Sequence, residues 1–425
     1  MSPKEKKGIR IRHTLVFCNH VSALAIQDLP SNDGNRTLTR ISIKRTYPLN
    51  DTELQKLSQT DRQLLDKDDY GVLAFRSAYT TDANAKRMII MLHGFGRDAW
   101  QYQDTANDAL YEAIGLTGSP DQNDIKKLKL DETLIVSPQF INEEDMELYY
   151  QTNDLQFDDV ANLTTYDSPS IETTLVWQNT SWAEGADSIL PTNITSPPDQ
   201  EGNSRLIKAP SMSSFEVMDA MIDQATDKTR FPKLETVIVA GHSLGAQFVQ
   251  RYALIGAIPS KQIPVHFFIA NPGSYVYLTD ERPRSTKKCS DTYNEWKFGL
   301  GVFGIRYLYD MVITSLDTLN DITDVRVRYL RDRQVHYLYG LNDTGTNGDR
   351  RCQAMSQGRN HLERGRNYLK HINQTSLALH LDHAHTVDFV PGIAHDARGM
   401  FYSPAGIRRL FLSNIDGTES ARGVG

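Results

Sequence analysis

Six short runs along the chain carry the strongest constraint: Met88–Leu92, TLIVSPQF at 133–140, TVIVA at 236–240, VHFFIANPGSY at 265–275, VHYLYG at 335–340 and HTVDFV at 385–390. Each is apolar without the alternation of a strand that keeps one face in water, so each has to be covered on both sides. Helical spacing fills the stretches between them. SSFEVMDAMIDQAT at 213–226 opens on a serine pair suited to capping and puts Phe215, Val217, Met218, Met221 and Ile222 on one buried face. A helix follows the run at 236–240, a basic helix is expected over about 352–372, and a closing helix near 404–413. Strands alternating with helices predict an α/β fold, a mostly parallel sheet covered by helices on both faces. Residues 26–87, with the short apolar stretch 71–75, read as early strands and hairpins. Asn271-Pro272-Gly273 stops the fourth run. Ligands on such sheets sit at the carboxyl ends of the strands, so the loops after them are where chemistry is sought.

Two stretches, 141–212 and 276–333, break the rhythm, and the pattern resumes unchanged after each. Residues 26–425 therefore read as a single domain with two insertions, placed at the strand ends where a cap or lid would sit. Trp177, Trp182, Tyr275, Tyr277 and Trp296 either line an apolar pocket there or hold the insertions onto the sheet.

Charge and composition narrow the function. The 425 residues hold 46 basic and 53 acidic side chains, a net charge of −7, which disfavours the basic patch that nucleic-acid binding needs. No apolar run approaches the roughly 20 residues of a membrane-spanning helix. Heptads and internal repeats are absent.

The first 25 residues have two readings. Lys4, Lys6, Lys7, Arg10 and Arg12 precede the patch LVFCNHVSALA, and Ala23-Leu24-Ala25 has the form of a signal-peptidase site; Asn19 and His20 make a poor apolar region, so an ordinary N-terminal strand fits as well. Cleavage after Ala25 would remove Cys18 and leave Cys289 and Cys352, an even pair able to form a disulfide; three reduced thiols in a cytosolic protein is the other reading. Seven N-x-S/T sequons, at Asn35, Asn50, Asn162, Asn179, Asn193, Asn342 and Asn373, lean towards a secreted glycoprotein over a cytoplasmic protein.

Gly241-His242-Ser243-Leu244-Gly245 lies between a buried strand and an amphipathic helix. A serine on that tight turn projects its oxygen above the sheet at a helix N-terminus, where the amide of Leu244 can stabilise developing negative charge. The segment VIVAGHSLGAQ at 237–247 resembles the α/β-hydrolase fold family, and the resemblance extends over about residues 70–413. It implies a triad in the chain order serine, acid, histidine, and an oxyanion hole shared by two loops. Leu92-His93-Gly94-Phe95-Gly96 ends an early strand where the family carries an HG motif, which makes the amides of Phe95 and Leu244 the expected oxyanion donors. His93 lacks a partner histidine at a metal-binding spacing.

A serine hydroxyl needs a base, and the base needs an acid to hold its tautomer. His395 follows the last strand and is the expected base; His380, His383 and His385 sit at the wrong end of that strand. His383 and His385 could share a metal, with no third ligand evident. Asp343 follows the penultimate strand and is the expected acid, with Asp349 its rival. Asn342, beside it, should stay unglycosylated for lack of room. Together these residues predict a serine hydrolase acting on a small ester, thioester or amide, with no cofactor and no metal. A fold relative doing non-hydrolytic condensation or cyclisation is the alternative. A catalytically dead binding protein is disfavoured by the intact set Ser243, Asp343 and His395.

Overall fold

The computed structural model describes residues 36–43, 70–117, 128–145, 174–191, 193–195, 206–208, 211–257, 263–301, 304–309, 322–346 and 348–412. The candidate signal at 1–25 with Cys18, the sequons at Asn35, Asn50 and Asn162, and parts of both insertions lie outside them.

Eight strands form the central sheet: β1 (Arg36–Ile43), β2 (Tyr70–Ser77), β3 (Arg87–Leu92), β4 (Thr133–Gln139), β5 (Thr236–His242), β6 (Val265–Ala270), β7 (Gln334–Gly340) and β8 (Thr386–Val390). Their spatial order is β1-β2-β4-β3-β5-β6-β7-β8. Only β2 runs against the others; it pairs antiparallel with β1 and β4, and every remaining pair is parallel. The carboxyl ends of β3, β5, β7 and β8 therefore reach the same edge of the sheet.

The strand period of two divides the core into two layers. Ile89, Met91, Ile238, Ala240, Phe268 and Leu338 face one side, where α1 (Ala99–Thr117) brings Tyr102, Ala106 and Leu110 against Phe401 and Leu410. Met88, Ile90, Val237, Val239, Phe267 and Tyr337 face the other, under α2 (Ser214–Thr226), α3 (Leu244–Ile255) and α4 (His361–Ala378). α2 starts on a full capping box. Ser213 Oγ accepts from the Phe215 amide at 3.1 Å, and Glu216 Oε2 accepts from the Ser213 amide at 2.7 Å.

The structure corrects the sequence reading in one element. The helix expected over 352–372 is two, Cys352–Met355 and α4, because Gln357-Gly358-Arg359 leaves the helical path and Asn360 caps a new start, accepting from the Glu363 amide at 2.8 Å. The fourth run is strand to Ala270 and stops, as expected, at Asn271, which takes φ 46°. The closing segment is helical over Pro404–Ile407, and its last turn widens over Arg408–Leu412.

The aromatics of the insertions are packing residues. Trp177, Trp182, Tyr275 and Tyr277 are fully buried. Trp182 stacks on Phe140 with ring centroids 5.4 Å apart and lies 4.5 Å from the ring of His93. Trp296 donates from Nε1 to the Glu184 carbonyl at 2.8 Å, tying the second insertion to the first. Cys289 and Cys352 form a disulfide, S–S 2.07 Å and Cα–Cα 5.9 Å, which joins the second insertion to the segment after β7. No helix among the described residues is long and apolar enough to cross a membrane.

Candidate active site

β5 delivers the chain to His242, and α3 begins at Leu244. Ser243, between them, has φ 56° and ψ −118°, a conformation that an L-residue holds only when its surroundings enforce it. They do: the Ser243 amide donates to the Ala270 carbonyl at 3.0 Å, and its carbonyl accepts from the Gln247 amide at 3.1 Å. The flanking glycines are spatial requirements. A Cβ at Gly241 would lie 2.5 Å from the backbone of Gly245, and one at Gly245 would lie 2.5 Å from the carbonyl oxygen of His93. The same close approach sets the amino end of α3 against the loop after β3.

Two further loops close over the elbow. Leu341 and Asn342, just past β7, donate their amides to the carbonyls of Val390 and Ile393, each at 2.9 Å, so the loop after β8 lies against the loop after β7. Asn271 locks the pair: its Oδ1 accepts from the Gly340 amide at 2.9 Å and its Nδ2 donates to the Ala394 carbonyl at 3.1 Å. His395 is carried between Ser243 and Asp343 as a result. Ser243 Oγ lies 2.8 Å from His395 Nε2, and His395 Nδ1 lies 2.8 Å from Asp343 Oδ2. An ionised carboxylate only accepts, so Nδ1 carries the proton and the Nε2 lone pair faces the serine. An eight-stranded sheet in this order, reversed only at β2, with a serine elbow after β5, leaves one assignment.

This is the α/β-hydrolase fold.

Among solved structures the chain is similar, at a distance, to several hydrolases. Poly(aspartic acid) hydrolase-1 from Sphingomonas sp. KT-1 is 19% identical over 78% of this chain and 90% of that one, with a TM-score of 0.44. LpqC, a poly(3-hydroxybutyrate) depolymerase from Bordetella parapertussis, is 18% identical over 80% and 88%, also with a TM-score of 0.44. The siderophore hydrolase EstA from Aspergillus nidulans is 10% identical over 88% and 93%, with a TM-score of 0.38. No family model and no curated protein matches the sequence.

The electrostatics of the site follow from burial and donors. Asp343 is buried, which pushes its pKa up, but hydrogen bonds from His361 and His395 outweigh that and hold it well below the usual carboxylate range. Burial and the neighbouring His395 keep His242 neutral; its ring packs 4.6 Å from that of His395. His93, pushed down to about 3 mainly by burial, is neutral too. Its Nδ1 donates to the Gly94 carbonyl at 2.9 Å and its Nε2 accepts from the Phe140 amide at 3.0 Å. Both nitrogens are occupied, so His93 serves to brace the Gly94–Phe95 loop. Phe95 itself is 41% exposed.

The rivals sit elsewhere. Asp349 pairs with Arg351, its Oδ1 accepting from Nε at 2.9 Å. His385 Nε2 bonds the Tyr329 carbonyl at 2.8 Å, His383 Nε2 meets Asn373 Oδ1 at 2.7 Å, and His380 lies just past the end of α4. His383 and His385 form no metal set among the described residues. Asp343, His361 and His395 do bring three ligand atoms within 4.8 Å of one another, but a carboxylate between two imidazole donors accounts for that spacing without an ion. Three contributions escaped the sequence reading: that of His361, that of Asn271 beyond stopping its strand, and that of the fully buried pair Arg97–Asp145. That pair joins the loop after β3 to the first insertion through Nε–Oδ2 at 2.6 Å and Nη2–Oδ1 at 3.0 Å.

Proposed function

We propose that the chain is a serine hydrolase that cleaves a small ester, thioester or amide through an acyl-enzyme on Ser243. His395 Nε2 takes the hydroxyl proton as Oγ adds to the carbonyl carbon, and Asp343 stabilises the imidazolium that forms. The amides of Leu244 and Phe95 receive the oxyanion: Leu244 opens α3, so its N–H has no partner within the helix. His395 then gives the proton to the leaving alcohol, thiol or amine, and water resolves the acyl-enzyme by the same steps in reverse. The observation that carries this reading is the unbroken hydrogen-bond chain from Ser243 Oγ through His395 to Asp343, on a serine held at φ 56°. The distant likeness to known esterases and depolymerases agrees with it in kind.

Hydrolysis of a p-nitrophenyl ester chain-length series by wild type and Ser243→Ala tests the proposal. Turnover abolished in a folded variant supports it; full activity in the variant removes the nucleophile. The same reading puts the mature chain in an oxidising compartment, supported by the Cys289–Cys352 bond and the excess of sequons. A native N-terminus at Met1 or Ser2 would contradict it.

A further inference from the structure

Asp343 lies between two imidazoles. His395 takes Oδ2, and His361 Nδ1 lies 3.0 Å from Oδ1. His361 is the first residue of α4, and the next amide, Leu362 N, donates to the Asp343 backbone carbonyl at 3.1 Å. The start of α4 thus holds the acid by both side chain and main chain. The His361 ring is itself confined. It stacks on the His395 ring at 4.2 Å and 15°, and its Nε2 edge faces Gly348 and Gly273, where an added Cβ would lie 2.5 Å and 3.7 Å away.

We propose that His361 is a positioning residue of the hydrolytic site: by donating from Nδ1 to Oδ1 of Asp343, it fixes the carboxylate plane so that Oδ2 meets His395. The proposal rests on the reading of Ser243 as nucleophile. A carboxylate torsion is broad, and one hydrogen bond leaves the group free to swing about it. Two donors on different oxygens define the plane. The donation also draws charge away from the oxygen facing His395, which changes the strength of the Nδ1–H···Oδ2 bond.

The titratable groups around His361 are few. Asp343 faces it from the loop after β7, His395 from the loop after β8, and His242 approaches through His395 from the end of β5. Asp349, next to Gly348, is engaged with Arg351. On its own helix, Glu363 pairs with Arg284 and Arg364 donates to the Gly273 and Gly358 carbonyls.

The test uses two substitutions and two readouts. His361→Leu removes the donor; His361→Asn keeps a nitrogen near the place of Nδ1. Steady-state kinetics on a p-nitrophenyl ester should show kcat in His361→Leu lower by roughly 10- to 10²-fold with KM little changed, and recovery of most of the loss in His361→Asn. In NMR spectra, the His395 Nδ1 proton resonance should shift in His361→Leu and return in His361→Asn. Wild-type protein at neutral pH should show His361 protonated at Nδ1. A His361 proton on Nε2 would overturn the proposal without any variant. So would an unmoved His395 Nδ1 proton resonance in both variants, which would leave His361 as packing alone. Failure of a fluorophosphonate to label wild-type Ser243 would instead overturn the nucleophile reading, and with it any service of His361 to hydrolysis.

Discussion

A methyl group at position 245 would meet the carbonyls of both Leu92 and His93, so Gly245→Ala has to push the loop after β3 off the elbow. Overpacking of this kind should cost roughly 1–3 kcal/mol in urea denaturation. Gly115→Ala, whose Cβ would meet nothing in α1, should be neutral or stabilise by about 0.5–1 kcal/mol. Equal effects at the two sites would contradict the close approach. Asp343→Asn should lower kcat by on the order of 10³–10⁴ through loss of the correct His395 tautomer. Asp349→Asn, removing only the partner of the exposed Arg351, should leave kcat near wild type. The reverse pattern would move the acid to Asp349. Ser243, Asp343 and His395 are legible in the chain because each follows a recognisable strand, and the serine carries glycines at the two positions where a side chain cannot fit. His361 and Asn271 carry no such mark. One opens a helix and the other ends a strand, and their roles exist only through contacts with residues 18 and 123 positions away.

At the scale of elements, the loop after β3 depends on a buried ion pair. Arg97, at φ 52° and with no exposed surface, is held by Asp145 and returns its carbonyl to Gln139. Asp145→Ala removes the nearer counter-charge of the buried Arg97 and leaves Glu144, 3.9 Å from Nη2, so it should destabilise by up to roughly 3–5 kcal/mol and lower activity through Phe95. Thermal melts of Asp145→Ala beside Lys129→Ala, whose pair is exposed, measure the contrast. A melt unchanged by Asp145→Ala would refute the bracing role. The inner strands were readable because apolar runs without alternation fit little else than a covered parallel sheet; the edge strand β8 departs from that expectation, with Thr386–Asp388 half-buried and Phe389 exposed. The segment 352–372 reads as one helix by its helix-favouring residues on either side of Gly358 and Asn360; the break there is held by the long-range bonds of Gln357, whose Oε1 accepts from the Tyr275 amide at 2.9 Å and whose Nε2 donates to the Tyr275 carbonyl at 2.8 Å. Insertions rich in aromatics read equally well as pocket or as packing, and only burial separates the two.

Across the whole molecule, the Cys289–Cys352 bond closes a loop of sequence separation 63. In the chain-entropy model its loss costs about 4 kcal/mol, so Cys352→Ser should melt well below wild type, and reductant should lower the wild-type melt but not the variant's. Acid should act on the fold as well. Burial pushes His266 down to about 4 and His371 and His385 to about 3, in each case chiefly by desolvation. Below the unfolded value near 6.5 the unfolded chain binds protons that these folded rings refuse, so stability is complete above that pH and falls as pH drops towards 4. The urea midpoint should therefore decline steadily from neutral pH to pH 5 at constant ionic strength; a flat profile would mean these rings are not held neutral. The chemistry proposed for the molecule rests on one oxygen, Ser243 Oγ. Peptide mapping after treatment of the folded wild-type chain with a fluorophosphonate should find a single adduct, on Ser243, lost in His395→Ala. An unlabelled Ser243, or an adduct on another serine, would contradict the account.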